Sequence, residues 1–262
     1  MKTYILEHAE PNPTMDYANS MVEKVRGSTE IISRGGGSTM DVGKWISRQL
    51  NIKHTAVPTT AGTGSEVTKY CVLTVDGKKT TFTDDKFIPD SYSLIPELVA
   101  SCSDELTMST GLDAYCQALE SYWSKYSTEE SRAYSEVAVN LIENSLFNCL
   151  TDQTSNKWRM DMLIAANMSG RAINIARTNI CHAISYVLTD MYKIPHGIAC
   201  GMSLRYFARK AATPVDNFLD KFAIPMYKID PVKVAEEAIK HEKMKDVEFE
   251  VTKQDIINSL TI

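Results

Sequence analysis

Two of the chain's five histidines, His182 and His196, bracket the stretch Asn179 to Gly197 (NICHAISYVLTDMYKIPHG), which joins them through one short apolar segment. Neutral imidazole is the commonest borderline metal ligand, so two histidines on the rim of one helical segment could close on an ion if a carboxylate arrives from elsewhere. Gly111-Leu-Asp-Ala-Tyr-Cys-Gln117 offers that carboxylate. Asp113 and Gln117 lie four apart, which on a helix puts both oxygens on one face, one turn above the other. A histidine taken singly is more often hydrogen-bonded in a core than bound to metal, so this pattern gains weight only from its company.

A second chemistry is written nearer the amino terminus. The brief β-branched run Glu30-Ile-Ile-Ser-Arg34 leads into Gly35-Gly36-Gly37-Ser38 and then a helical run from Met40 to Leu50. Strand, glycines and helix in that order present unblocked backbone N–H groups and a helix N-terminus to an anion, which suits the pyrophosphate of a nucleotide. A tight turn needing positive φ would account for fewer glycines. Met40 stands where the third glycine of G-x-G-x-x-G would be, and no glycine-lysine pair follows, so neither the usual Rossmann fingerprint nor a Walker loop is present. Residues 54–68 (HTAVPTTAGTGSEVT) add a second small-residue loop after a short strand, with hydroxyls at Thr59, Thr60, Thr63 and Ser65 and glycines at 62 and 64. Such loops are often plain connections; two of them in one α/β unit favour a ligand between them.

The elements that must carry these residues follow from periodicity. Tyr4 to Leu6 is a candidate strand, and Met15, Ala18, Met21, Val22 and Val25 recur at helical spacing up to a capping Gly27. Tyr70–Val75 and Thr80–Thr83 read as a hairpin turned at Asp76-Gly77. Beyond Pro89 and Pro96 strand signals nearly vanish and helical periodicity dominates: Leu112 to Trp123, Glu129 to Leu150, Trp158 to Ile175, Ala183 to Met191, and weaker helices from Phe218. Ser127-Thr-Glu-Glu130 resembles a capping box with Glu130 at its third position, and Thr252 caps a last short helix. The expected division is residues 1–96, a partial α/β dinucleotide-binding domain, and residues 97–262, an all-helical metal-binding domain.

Composition narrows the partners. At 262 residues, 44% hydrophobic and 23% charged, with a formal charge of -5, the chain can bury a sizeable core and carries no basic stripe for nucleic acid or anionic membrane. Six cysteines without a C-x-x-C pair read as reduced thiols. No apolar run approaches the roughly 20 residues of a membrane span, so the expectation is a cytoplasmic protein handling small molecules.

Four motifs in order make the chain similar to the iron-containing, or group III, alcohol dehydrogenases. They are Gly35-Gly-Gly-Ser-Thr-Met-Asp41 with Lys44; Pro58-Thr-Thr-Ala-Gly-Thr-Gly-Ser-Glu-Val-Thr68; Gly111-Leu-Asp-Ala114; and Cys181-His182 with Ile194-Pro-His-Gly197. The resemblance implies a dehydroquinate synthase-like fold, with an α/β nucleotide-binding domain followed by a helical metal domain. It implies NAD or NADP held by Gly36, Gly37 and Ser38, with Thr59, Thr60, Thr63 and Lys79 along the cofactor. It implies a divalent metal, Fe2+ or Zn2+, on Asp113, His182 and His196, acting as a Lewis acid while hydride passes between nicotinamide and an alcohol or aldehyde.

The family's fourth ligand is a histidine where this chain has Gln117, a neutral and weaker oxygen donor. Gln117, the segment Ser121–Arg132 and Arg171-Ala-Ile-Asn-Ile-Ala-Arg177 are similar to the branch acting on phosphonoacetaldehyde, where Arg171 and Arg177 could clamp a phosphonate or could equally be solvated or structural. Family members are longer and begin with further strand and helix units, so the resemblance implies an incomplete sheet whose exposed edge invites a partner, such as a homo-oligomer. Two other functions fit the same motifs: a shortened family member that binds metal or nucleotide without turnover, and a dehydroquinate synthase-like lyase. Tyr186, one helical turn after His182, could relay a proton, though packing is the commoner role of such a residue.

Overall fold

The computed structural model describes residues 2–261 apart from Gln153, Thr154, Pro214 and Met226. Its first part is α/β. β1 (Thr3–Leu6), β2 (Glu30–Gly35), β3 (Lys53–Pro58) and the two-residue β6 (Ser91–Tyr92) form a parallel sheet in the order β1-β2-β3-β6, crossed by α1 (Met15–Val25) and α2 (Gly37–Leu50). β4 (Tyr70–Val75) and β5 (Lys78–Thr83) pair antiparallel as a separate hairpin. Asp76 (φ 49°) and Gly77 (φ 75°) form its turn, the two left-handed residues that a two-residue hairpin demands. β1 is an outer strand, and its Ile5 is 54% exposed.

Among the described residues helices follow without further strands. α3 (Asp104–Trp123), α4 (Glu129–Thr151), α5 (Asn156–Ala176), α6 (Ile180–Tyr192) and α7 (His196–Lys210) pack around one continuous apolar cluster, to which α8 (Asp216–Leu219), α9 (Pro231–Ala238) and α10 (Lys253–Ser259) are appended. A smaller cluster built from Leu6, Val22, Ile31, Ile46 and Leu73 fills the α/β part. Among the described residues no helix is long and apolar enough to cross a membrane.

Three local expectations change. α3 begins eight residues before the anticipated Leu112, because Ser103 caps it by accepting from the Leu106 N–H at 3.2 Å. The capping box of α4 is one residue later than anticipated: Thr128 is the cap, and Ser131, not Glu130, returns the hydrogen bond at 2.8 Å. The charges of Glu236 to Lys245, which by sequence alone read as one solvated helical face, do not share it, since α9 ends at Ala238 and Lys243 turns inward, its Nζ donating to the Thr178 carbonyl at 3.2 Å.

Buried polar contacts hold the 65–72 segment against α2 and, through Glu66, onto the helical part. Asp41 accepts from Ser65 Oγ at 3.0 Å and from the Val72 N–H at 3.1 Å; Lys44, wholly buried, donates to the Tyr70 carbonyl at 2.7 Å and to Thr68 Oγ1 at 3.1 Å. Burial pushes the Asp41 carboxyl up and the Lys44 ammonium down, each partly offset by the other's charge. Glu66, also buried, accepts from Asn167 Nδ2 on α5 at 3.0 Å. Gly64 (φ 57°) reaches so close to α5 that a Cβ there would lie 2.5 Å from the Ala166 carbonyl oxygen and 2.6 Å from Gly170 Cα. The 59–68 loop is thereby wedged onto the helical part.

His54 on β3 is buried, with Nε2 sharing a 2.7 Å hydrogen bond with Ser33 Oγ, while Gly43 of α2 leaves the space that both need. Burial, helped by the Lys44 charge, drops its pKa from 6.5 to about 3. Between those values the unfolded chain binds a proton that the folded one refuses, so this residue's contribution is complete above pH 6.5 and is lost as pH falls, at up to about 1.4 kcal/mol per pH unit. His54→Gln, which keeps a partner for Ser33, is expected to flatten this slope: between pH 7 and 5 the wild type should lose about 2 kcal/mol more than the variant in urea unfolding. Parallel curves would exclude His54 as the source.

Candidate metal centre and cofactor crevice

His182 and His196 lie not on one helical segment but on two. α6 ends at Tyr192, Lys193 takes a left-handed conformation (φ 57°), Pro195 precedes the new helix, and His196 is the first residue of α7. The break turns the chain so that both imidazoles meet Asp113 of α3. His182 Nε2 is 3.2 Å, and His196 Nε2 3.8 Å, from Asp113 Oδ1, with ring centroids 5.5 Å apart. Gly197 makes the approach possible: a Cβ there would fall 1.7 Å from the Ser109 carbonyl oxygen of α3. Cys200, one turn along α7 from His196, joins the group, and one donor atom from each of Asp113, His182, His196 and Cys200 lies within 4.8 Å of every other. The Asp113 and His182 side chains are nearly sealed, whereas that of His196 is 33% exposed and forms the open side.

Glu120, seven residues after Asp113 on the same helix, holds this cluster in place. Wholly buried, it accepts from the N–H of Asn179 (3.0 Å), the N–H of Cys181 (2.5 Å) and His182 Nδ1 (2.5 Å). A carboxylate is stable there because it faces the N-terminus of α6, whose first N–H groups have no partner within the helix and whose dipole favours negative charge. With Nδ1 donating to Glu120, Nε2 is the nitrogen that faces Asp113, and it would carry a lone pair for an ion that displaces its proton. Nothing in the local sequence singled out Glu120; its role depends on the crossing of α3 and α6.

Electrostatics within the cluster is strongly coupled. Burial alone would push the Cys200 thiol up and the His182 imidazole down. The adjacent Cys116 thiol and the two imidazoles outweigh it and hold Cys200 well below the usual thiol range, while the Cys200 and Glu120 charges hold His182 well above the usual imidazole range. Gln117 is buried one turn from Asp113, but among the described residues its hydrogen-bond partner is Ser169 of α5, at 3.1 Å from its Oε1. Tyr186 stacks on the His196 ring, with centroids 5.8 Å apart and planes 8° apart, and packs against His241 on its other side. His241 accepts from the Lys243 N–H and lies outside the cluster.

The two glycine-containing loops leave the carboxyl ends of neighbouring parallel strands, β2 and β3, whose last paired residues are Gly35 and Pro58. Crevices at such strand ends are where open α/β sheets bind nucleotides. Gly36 is the N-cap of α2, and Gly37 and Ser38 form its first turn. A Cβ on Gly36 would sit 3.4 Å from Thr60 Oγ1, and one on Gly37 only 2.9 Å from Thr63 Cγ2, so the second loop lies directly against the first. The Thr59 N–H donates to the Gly35 carbonyl at 3.0 Å. At its far end the loop abuts α3, where a Cβ on Gly62 would lie 2.7 Å from Thr110 Cβ, three residues before Asp113. Lys79 lies on β5 with an exposed side chain; partial burial lowers its ammonium pKa, opposed by the charges of Asp113, Asp190 and Cys200.

Residues 1–96 match the sequence profile of the iron-containing alcohol dehydrogenases, and residues 107–260 match that of the Fe-containing alcohol dehydrogenase family, C-terminal part. The chain belongs to the iron-containing alcohol dehydrogenase family. It is 38% identical over 172 residues to phosphonoacetaldehyde reductase of Streptomyces viridochromogenes, which covers 64% of this chain and 44% of that protein. It is 32% identical over 206 residues to a 1-propanol dehydrogenase of Citrobacter freundii, covering 75% of this chain and 56% of that one. The chain thus spans about half the length of these curated relatives. Among solved structures it resembles sulfoacetaldehyde reductase from Bifidobacterium kashiwanohense in complex with NAD+, with TM-score 0.89, 27% identity, and 97% of this chain and 82% of that one covered. An iron-containing alcohol dehydrogenase from Thermotoga maritima gives TM-score 0.83 and 28% identity, over 96% of this chain and 80% of that one.

Removing the Glu120 carboxylate strands the buried N–H groups of Asn179 and Cys181, each worth about 1–3 kcal/mol when unsatisfied. Glu120→Ala is therefore expected to lower unfolding free energy by about 2–4 kcal/mol, and to remove the downfield His182 Nδ1 proton resonance that the short hydrogen bond to Glu120 should give the wild type. A variant as stable as the wild type, with that resonance retained, would contradict the role assigned to Glu120.

Proposed function

We propose that this protein is a metal-dependent, nicotinamide-linked oxidoreductase that interconverts a small aldehyde and its alcohol. The observation that carries the reading is the convergence of Asp113, His182 and His196 beside the end of the 59–64 loop. A carboxylate, two imidazoles and a nearby thiol make a mixed hard and borderline donor set that fits Fe2+ or Zn2+. Such an ion supplies Lewis-acid polarisation of a substrate oxygen, and the nicotinamide is the hydride donor or acceptor.

The chain's own residues do the rest. Glu120 orients the His182 ring, so that Nε2 is the nitrogen available to an ion. The N-terminus of α2 at Gly36, Gly37 and Ser38 is open to a pyrophosphate, and the thread of Thr59, Thr60 and Thr63 runs from it towards α3. Lys79, whose charge acts on Asp113, is assigned to neutralise negative charge beside the cofactor, and the exposed side of His196 marks the way in for substrate. We place the division between the cofactor-binding and metal-binding parts near residue 97.

For substrate, we infer a short aldehyde bearing an anionic group. Two of the similar proteins named above are reductases of phosphonoacetaldehyde and sulfoacetaldehyde, which share that character. Arg177, exposed at the end of α5 with its guanidinium 5.2 Å from the Tyr126 ring centre, is the candidate anion contact. Arg171 is less free, being held by Asn167 Oδ1 and the Tyr92 hydroxyl, both at 3.0 Å.

Metal analysis of the purified chain, with NADH and NADPH oxidation against an aldehyde panel after iron or zinc loading, tests the reading. Asp113→Ala is expected to lose both the bound ion and turnover, and undiminished turnover without metal would refute the mechanism. Arg177→Ala should cost about tenfold or more in kcat/KM on phosphonate- or sulfonate-bearing aldehydes, the scale of one charge-assisted contact, and little on propanal. Equal losses on both would remove Arg177 from substrate recognition.

A further inference from the structure

The metal-centre reading leaves one place open. The resemblance assigns a fourth ligand to position 117, where this chain carries Gln117, and that amide is turned to Ser169 of α5. Across the same cluster lies a donor the resemblance does not assign. Cys200 follows His196 by four residues on α7, a spacing that sets both side chains on one helical face, and its Sγ is 3.9 Å from His196 Nε2. All four donor atoms lie within 4.8 Å of one another, and they come from three helices that enclose a common point. In a tetrahedral site with bonds of 2.0–2.3 Å, neighbouring donors stand about 3.3–3.8 Å apart. The group therefore needs to contract by no more than about 1–1.5 Å on its longest edge, well within side-chain rotation.

We propose that Cys200 is the fourth protein donor of this centre, bound as the thiolate in place of a ligand at position 117, and that it biases the centre towards Zn2+ over Fe2+. The chemistry of the set supports this. A neutral amide oxygen is a poor donor to either ion, whereas thiolate is a soft ligand that Zn2+ accepts readily among imidazoles. A metal–sulfur bond at Cys200 replaces one proton of the cluster, carried by the thiol or by the imidazole beside it, and that proton is released to solvent. Cys200 is fully buried, and the neighbouring Cys116 thiol can donate to a thiolate there. Asp113, His182, His196 and Cys200 would together hold the ion, and of the first three side chains that of His196 is the one left partly open, the side from which a substrate would approach.

The inference rests on the metal-centre reading, and cobalt spectroscopy separates the two. The full chain, stripped with chelator under reducing, anaerobic conditions, is titrated with Co2+. Wild type is expected to show visible d–d bands together with an intense near-ultraviolet thiolate-to-cobalt band at one equivalent. Cys200→Ser should keep the visible bands and lose the near-ultraviolet one, and Cys116→Ser should keep both. In Zn2+ against Fe2+ competition, Cys200→Ser should shift the ratio of bound metals towards iron by about tenfold or more, the scale on which partners of metal ligands act. Cobalt bound by wild type without the near-ultraviolet band overturns the role of Cys200 while leaving the Asp113, His182 and His196 centre standing; so does a band that survives Cys200→Ser. An unchanged metal ratio overturns the zinc bias. Failure of wild type to take up cobalt at all overturns the metal centre itself. Because the wild-type spectrum alone can refute the proposal, it does not depend on the variant folding.

Discussion

A fully buried carboxyl group must be given hydrogen-bond partners, or its burial costs the molecule several kcal/mol. Glu120 meets this condition at the N-terminus of α6, and the requirement organises the helical part of the molecule. Its oxygens take the N–H groups of Asn179 and Cys181 and the Nδ1 proton of His182, so one side chain caps a helix, fixes the crossing of α3 with α6 and orients an imidazole. Trp123 and Asn179 extend the same junction, with the indole N–H donating to Asn179 Oδ1 at 3.0 Å and the Asn179 amide donating back to the Glu120 carbonyl at 2.8 Å. The position of His182 is thus specified by a network in which each member has a partner, the condition under which buried polar groups rigidify a site.

A comparable arrangement ties the sheet to the helices. Asp41, Lys44 and Glu66 are charged side chains in the interior of the α/β part, and each finds partners on the 59–72 segment or on α5. Their desolvation is offset by these contacts and by one another's charge, so the network adds less to stability than to register. It determines which residues of the loop face α2 and which face α3. The Gly64–Gly170 contact then brings two backbones within van der Waals distance, where any larger residue would hold the cofactor crevice and the metal cluster apart.

The cluster itself combines a sealed interior with one open side. Asp113 and His182 are enclosed, so their mutual attraction acts in a low-dielectric environment, whereas His196 borders solvent and stacks on Tyr186. Rigid donors at the back and an accessible face at the front are what a site needs if an ion is to be held and still meet a substrate. The tyrosine's stacked position, with rings nearly parallel, is accounted for by packing on the imidazole.

Much of this was legible in the residues alone. The glycine loop before α2, the Asp76-Gly77 turn, the helical periodicity after Pro96 and the donor types at Asp113, His182 and His196 are all local signals, because turn conformation, helix period and ligand chemistry are properties of a few neighbouring residues. The order of four motifs identified the family for the same reason. The break between α6 and α7 was missed although Lys193 to Pro195 carries its mark, since the apolar run on either side masked a turn that only a left-handed lysine reveals. Glu120 and Cys200 could not be singled out from sequence. One looked like any helical acid and the other like any buried thiol, and their chemistry arises from distances between residues 120 and 182, and between 113 and 200, which no period or spacing encodes. The sequence therefore determined which elements form and which donors exist, and the tertiary structure decided which donors share a point, because Coulomb and ligand interactions act through space and fall away within a few ångströms.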